Sequence, residues 1–175
     1  MALTTQNPVN PSIDANTYIS TADARARAVL LGVELSNDDT ELEASLFQAL
    51  QYVDSFEYQG VAVEPLQSTD FPRAGMVINN NEYPSEIIPQ PVIDAQIISA
   101  AAIGEGEEVF SSTNGQRIAE ERVEGAVDVK YFNTDDSGEQ QNKVVMGRVY
   151  ALLKPFLDDS EINGGHWNYG IATAV

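Results

Sequence analysis

Asn37-Asp38-Asp39-Thr40-Glu41-Leu42-Glu43-Ala44-Ser45-Leu46-Phe47-Gln48-Ala49-Leu50-Gln51-Tyr52-Val53-Asp54-Ser55-Phe56 is the stretch that decides the fold class. Leu42, Leu46, Ala49, Leu50 and Val53 recur at helical spacing, while Glu41, Glu43, Gln48 and Gln51 fall elsewhere around the cylinder. Asn37, Asp38 and Asp39 supply a side-chain cap and place negative charge at the positive end of the helix dipole. A helix with one apolar stripe, reaching to about Phe56, must pack on other helices or on a sheet.

The flanking segments supply helices. Upstream, Ser20-Thr21-Ala22-Asp23 reads as a capping box, opening a helix through Ala24, Ala26, Ala28, Val29 and Leu30 that Gly32 can end. Residues 1–19, with Pro8, Pro11 and no sustained period, read as an extended arm. Downstream, residues 57–88 lose the period and hold Gly60, Pro65, Pro72, Gly75, Pro84 and three asparagines, Asn79 to Asn81. So long a stretch without repeating structure predicts an ordered, functional excursion. Pro89 and Pro91 bracket a helix start. Residues 92–103 are then apolar almost all round, with Asp94 the only charge, as suits the centre of a bundle or a subunit contact.

Residues 116–133 alternate with period two: Val127, Val129 and Tyr131 share one face, Asp128 and Lys130 the other. With residues 118–123 before it and Gly125 at the bend, this predicts a β-hairpin. A last helix is expected over residues 143–153 on Val145, Val149, Leu152 and Leu153, stopped by Pro155. The predicted fold class is therefore mainly α: a small bundle of about four helices with a β-hairpin and extended terminal arms.

Composition narrows the function classes. The chain has 175 residues, the size of one domain, and carries 27 acids against 9 bases, a formal charge of −18. Between Ala28 and Gln116 the only base is Arg73, against fifteen Asp and Glu. Gripping a nucleic acid backbone requires Lys and Arg to displace counterions, so most of this chain should repel DNA. No run approaches the roughly 20 apolar residues that span a bilayer, and the N-terminal sequence has neither the basic segment nor the apolar run of a signal peptide. With no cysteine, disulfides and zinc-thiolate sites are excluded. A soluble, intracellular or intraviral protein is expected.

Chemistry-bearing motifs fail one by one. The single histidine, His166, sits in Asn163-Gly-Gly-His-Trp, a setting that does not hold a catalytic group rigidly. Residues 133–138 resemble the first half of a calcium loop, but the position that needs a bidentate glutamate is Val144. Doublets such as Glu107-Glu108 do not face each other, and Gly104-Glu105-Gly106 leads into acids that would repel a phosphate. No catalytic residue, metal site or cofactor is expected. Trp167, Tyr169 and Ile171 alternate in the tail and could add as a strand to a partner or fold back on the chain's own core. Arg73 should pair with a carboxylate, either Asp70 nearby or an acid of a neighbouring subunit.

Several segments occur together in a telling order. Asp14-Ala-Asn-Thr-Tyr18-Ile-Ser20-Thr-Ala-Asp23 precedes Glu43-Ala-Ser-Leu-Phe-Gln-Ala49-Leu-Gln-Tyr52-Val-Asp54, then Asp70-Phe-Pro72-Arg73-Ala-Gly75. Ile88-Pro89, residues 121–131 and Val149-Tyr-Ala-Leu-Leu-Lys-Pro-Phe-Leu157 follow. This order resembles the head-to-tail adaptor (head completion, or connector) proteins of tailed bacteriophages, also labelled DnaT-like single-stranded DNA-binding proteins. The resemblance covers roughly residues 1–157 and implies a single adaptor domain there, with residues 158–175 as a longer tail.

It further implies a ring of about twelve subunits under the portal, each burying two different faces. Such a ring extends the DNA channel and joins the head to a downstream neck or tail protein. Its place would be the virion neck, after assembly in the host cytoplasm. The N-terminal arm and residues 57–88 are expected near subunit contacts, and the tail residues Trp167, Tyr169 and Ile171 against the portal protein. Genomic DNA would slide past fixed negative charge without specific binding, and no membrane is involved. The alternative is a single-stranded DNA-binding, primosome-type replication protein, which would need bases interleaved with exposed aromatics. A third reading is an acidic enzyme or a DNA-mimicking inhibitor.

Overall fold

Local capping chemistry sets where each helix begins and ends in the computed structural model, which describes residues 2–107, 109–111, 142, 143 and 146–158. Helix α1 (Thr21–Leu31) is capped by Ser20, whose hydroxyl accepts from the Asp23 amide. Gly32 ends it in the left-handed conformation, φ 67°, and the Val33 amide returns to the Ala28 carbonyl at 3.1 Å. Helix α2 (Asp39–Val53) is capped by Asp38, which takes the Thr40 and Glu41 amides at 2.8 and 3.0 Å. It stops at Val53 rather than Phe56: the Ser55 hydroxyl bonds the Tyr52 carbonyl, and Asp54 turns its side chain inward. Helix α3 (Gln90–Gly104) starts two residues before the predicted point, on Pro89.

The fourth helix needs a correction. Helical spacing predicts a start at Lys143, yet α4 spans Gly147–Leu153. Asn142 and Lys143 instead form a short strand, β6, antiparallel to β5 (Phe110–Ser111). Pairing with a distant strand overrides the local helical pattern. After Leu153 the chain tightens into a 3-10 turn, Lys154–Phe156, which accommodates Pro155 near its start.

Among the described residues the fold is a mainly α bundle of four helices. Helix α3 packs against α1, α2 and α4. That central position explains why nine of its residues, Val92 and Asp94 to Ala101, are buried. A smaller core of Ala24, Ala28, Leu42, Leu46, Ala49, Ile97 and Ala100 joins α1, α2 and α3. The alanines of α1 let its backbone approach closely. A larger core, including Leu50, Tyr52, Phe56, Val92, Ile98, Val149, Leu153 and Leu157, joins α2, α3 and α4 to the loop segments. Each fully buried leucine here stabilises the fold by about 1.5–3 kcal/mol. No described helix is long and apolar enough to cross a membrane.

Residues 57–88 carry four two-residue strands. β1 (Val61–Ala62) pairs antiparallel with β2 (Arg73–Ala74). β3 (Val77–Ile78) pairs with β4 (Asn81–Glu82) around Asn79 and Asn80, both at positive φ (53° and 62°). Two consecutive left-handed residues match the strand twist of a tight hairpin, and asparagine tolerates them. Residues 2–19 form no helix and lie along the bundle: Gln6, Ala15, Thr17 and Tyr18 are buried. The expected hairpin at 116–133, the calcium-like loop 133–138 and the tail with His166, Trp167, Tyr169 and Ile171 lie outside the described residues.

Candidate functional site

Three stretches distant in sequence converge at the C-terminal end of α2. Asp54, its cap residue, accepts the Tyr18 hydroxyl on Oδ1 and the Asp70 amide on Oδ2 at 3.1 Å. The Tyr18 oxygen in turn accepts the Phe71 amide at 3.1 Å. Phe71 precedes a cis proline, Pro72, and its ring is fully buried edge-on to Tyr58 and Tyr18. Tyr58 sends its hydroxyl to the Val53 carbonyl at 2.7 Å. The N-terminal segment, the end of α2, the start of the excursion and the Asp70-Phe71-Pro72-Arg73 turn are thereby locked to one another.

Arg73 and Asp70 are brought together within one chain, Nη1 to Oδ1 at 3.5 Å. The rest of the guanidinium faces backbone: Nε donates to the Gln59 carbonyl at 2.8 Å, and Nη2 to those of Gly60 and Tyr58 at 2.9 and 3.2 Å. The side chain is only 13 % exposed. A planar fork serving several carbonyls of one loop is work that lysine cannot copy. Gly60 completes the arrangement. It sits at φ 73°, and a Cβ there would lie 2.2 Å from the Ala74 carbonyl oxygen.

The electrostatics follow from burial. Desolvation raises the Asp54 pKa to about 7; the Tyr18 hydrogen bond opposes the rise and the Asp70 charge adds to it. Burial raises Asp70 as well, with Arg73 pulling the other way. Tyr18 and Tyr58 are pushed well above the ordinary phenol value, first by burial and then by the Asp54 charge. A carboxyl near neutrality beside a tyrosine is a pairing found in acid–base catalysis. Here both carboxyl oxygens are occupied by the protein's own donors under Phe71, so the group serves as an internal joint. Among the described residues no group of three or more His, Cys, Asp and Glu could hold a metal ion.

The surface tells a second story. Each arginine with a described side chain is engaged by its own chain. Arg25 meets Asp39 at 2.7 Å, Arg27 grips Asp94 through two 2.8 Å bonds, and Arg148 donates to the Leu31 carbonyl at 2.7 Å. Burial works to raise the Asp94 pKa, but hydrogen bonds from Arg27 and Gln90 and the Arg27 charge outweigh it and leave it below the ordinary value. Tyr18, Tyr52 and Tyr58 are buried, so none of them offers a face for stacking bases. Apolar side chains stand in water instead: Val29 at 78 %, Leu30 at 76 %, Leu66 at 77 % and Val61 at 67 % exposure.

Sequence reasoning singles out Asp70 and Arg73 and misses Asp54, which accepts the Asp70 amide, and Tyr18, which donates to Asp54. Both lie in motifs that mark the family resemblance, but nothing local signals a bond across 36 positions. The exposed edge of α1 is hidden by its surfeit of alanine, which leaves two faces equally apolar in sequence.

Comparison with known proteins returns one family. A family model described as "Putative DnaT-like ssDNA binding protein" matches residues 1–170. No curated protein matches the chain, and no solved structure does. A match over nearly the whole length, carried by a chain with this knot of motif residues, places the protein: it belongs to the DnaT-like family.

Proposed function

We propose that this chain is a structural protein of the tailed-phage neck, a head-to-tail adaptor. Copies assemble as a ring of about twelve beneath the portal protein, each using two different faces. The ring extends the DNA channel and offers a surface to the next neck or tail protein. The observation that carries this reading is where the charge goes: 27 acids face 9 bases, and the described arginines are tied to their own chain. A ring of such subunits surrounds its bore with fixed negative charge, and a polyanion slides past rather than adhering. Exposed leucine and valine on α1 and on the excursion supply apolar area for subunit contacts. The role calls for no catalysis and no cofactor.

The family description favours a second reading, single-stranded DNA binding in replication. That activity rests on a basic groove with aromatic platforms; among the described residues, the burial of Tyr18, Tyr52 and Tyr58 and the pairing of Arg25, Arg27 and Arg73 with carboxylates weigh against it. One pair of measurements separates the two. Native mass spectrometry of the purified chain, alone and with a portal ring, should show a multimer seated on the portal. A gel shift with single-stranded DNA should show no salt-sensitive complex. A tight shift that weakens steeply with salt, together with indifference to the portal, would overturn the adaptor reading.

A further inference from the structure

Two exposed patches differ in shape and complement each other in charge. On α1, Ala22, Ala26, Val29 and Leu30 are all exposed and recur at helical spacing, forming an apolar stripe along the outer edge of the bundle. Arg148 closes its C-terminal end, with one guanidinium nitrogen on the Leu31 carbonyl. The second patch is a knob on the excursion. Val61, Ala62, Glu64, Pro65 and Leu66 are exposed. The knob is held rigid: the Gln67 amide returns to the Glu64 carbonyl, the Gln67 side chain accepts the Glu64 amide, and its Nε2 donates to the Thr69 and Pro72 carbonyls.

From these we infer that the knob of one copy, Leu66 with Glu64, docks on the α1 stripe of the next copy, Val29 and Leu30 with Arg148. The inference rests on the ring-forming reading above and names the contact it needs. The occupant is a second copy because both halves of the match are present on this chain: apolar meets apolar, and an exposed carboxylate meets an exposed guanidinium. Two non-identical patches produce a head-to-tail contact, the kind that closes into a ring. A preformed turn loses little freedom on docking, so its apolar area converts into affinity efficiently. Opposite charges at the edge fix the register of the contact.

The chain has no cysteine, so cross-linking is clean. Leu30→Cys and Leu66→Cys are prepared separately, mixed, and treated with a short bis-maleimide, in solution and on a portal ring. A cross-linked dimer should form from the mixture and from neither variant alone. The double variant should give a ladder of multimers. Arg148→Glu or Glu64→Arg should each weaken assembly about tenfold, and their combination should restore it; circular dichroism confirms that every variant is folded.

Assembly on the portal without a mixed cross-link overturns this contact and leaves the adaptor reading standing. Dimers of Leu30→Cys alone, or a bridge confined to single chains of the double variant, also overturn it. They would assign the stripe to a symmetric contact or to the chain's own knob. Mixed cross-links with no portal attachment uphold the contact and sink the adaptor reading instead. A chain that stays monomeric in both settings overturns both.

Discussion

Replacing Asp54 by asparagine isolates the cost of keeping a carboxylate at the end of α2. The shape is preserved, but relative to the ionised carboxylate one hydrogen-bond acceptor becomes a donor facing either the Tyr18 hydroxyl or the Asp70 amide. Leaving a buried donor without an acceptor costs about 1–3 kcal/mol. Against this stands the pH dependence of the native side chain. Its folded pKa of about 7 lies above the unfolded value near 3.8. The folded state therefore holds a proton that the unfolded state has released, and stability from this group falls as pH rises.

The contribution is complete below the unfolded value and gone once pH passes the folded one. The rise from 3.8 to about 7 sets a ceiling of about 4 kcal/mol, of which about 2–3 kcal/mol is lost between roughly pH 5 and pH 8. Urea unfolding followed by circular dichroism across that window, on both proteins, gives a difference curve in which other titrating groups cancel. The stability of the native protein relative to Asp54→Asn should fall by about 2–3 kcal/mol from the acid to the alkaline end. A difference that stays constant, or one that moves in favour of the native protein as pH rises, would refute the account of Asp54 as a desolvated joint.

Other substitutions probe the same construction. Gly60→Ala forces a Cβ onto the Ala74 carbonyl at a positive φ, and urea midpoints should report a loss of about 2–4 kcal/mol. Arg73→Lys keeps the charge but cannot serve the Gln59, Tyr58 and Gly60 carbonyls together. It should cost about 2 kcal/mol in thermal unfolding, with new protease cleavage inside residues 57–88. Leu46→Ala empties a fully buried site between α1, α2 and α3 and should cost about 2–5 kcal/mol in urea.

Elements built from local chemistry were legible. The stripe Leu42, Leu46, Ala49, Leu50 and Val53 and the Asp38 cap define α2, and Ser20 and Gly32 bracket α1. The apolar α3 occupies the centre of the bundle because it has no face to give to water. Where distant segments compete, the pattern misleads. Lys143 continues the helical period of α4, but its backbone is taken by the pairing with Phe110. The candidate site was half legible. Arg73 stands out as an isolated base among acids, whereas Asp54 is one carboxylate among 27. Its distinction comes from Tyr18 and the Asp70 amide closing over it, a consequence of tertiary packing with no trace in spacing.

The binding of the N-terminal segment also constrains how the protein comes into being on the ribosome. Gln6 bonds Thr69, and Thr17 and Tyr18 bond Gln96 across 79 and 78 positions. Thr17 and Tyr18 thus lack their Gln96 partner until the middle of α3 has left the exit tunnel. Helices α1 and α2 can form as they emerge, but the opening segment must wait, since contacts so far apart are the slow ones to close. A segment made before its partners is thus fixed only after them.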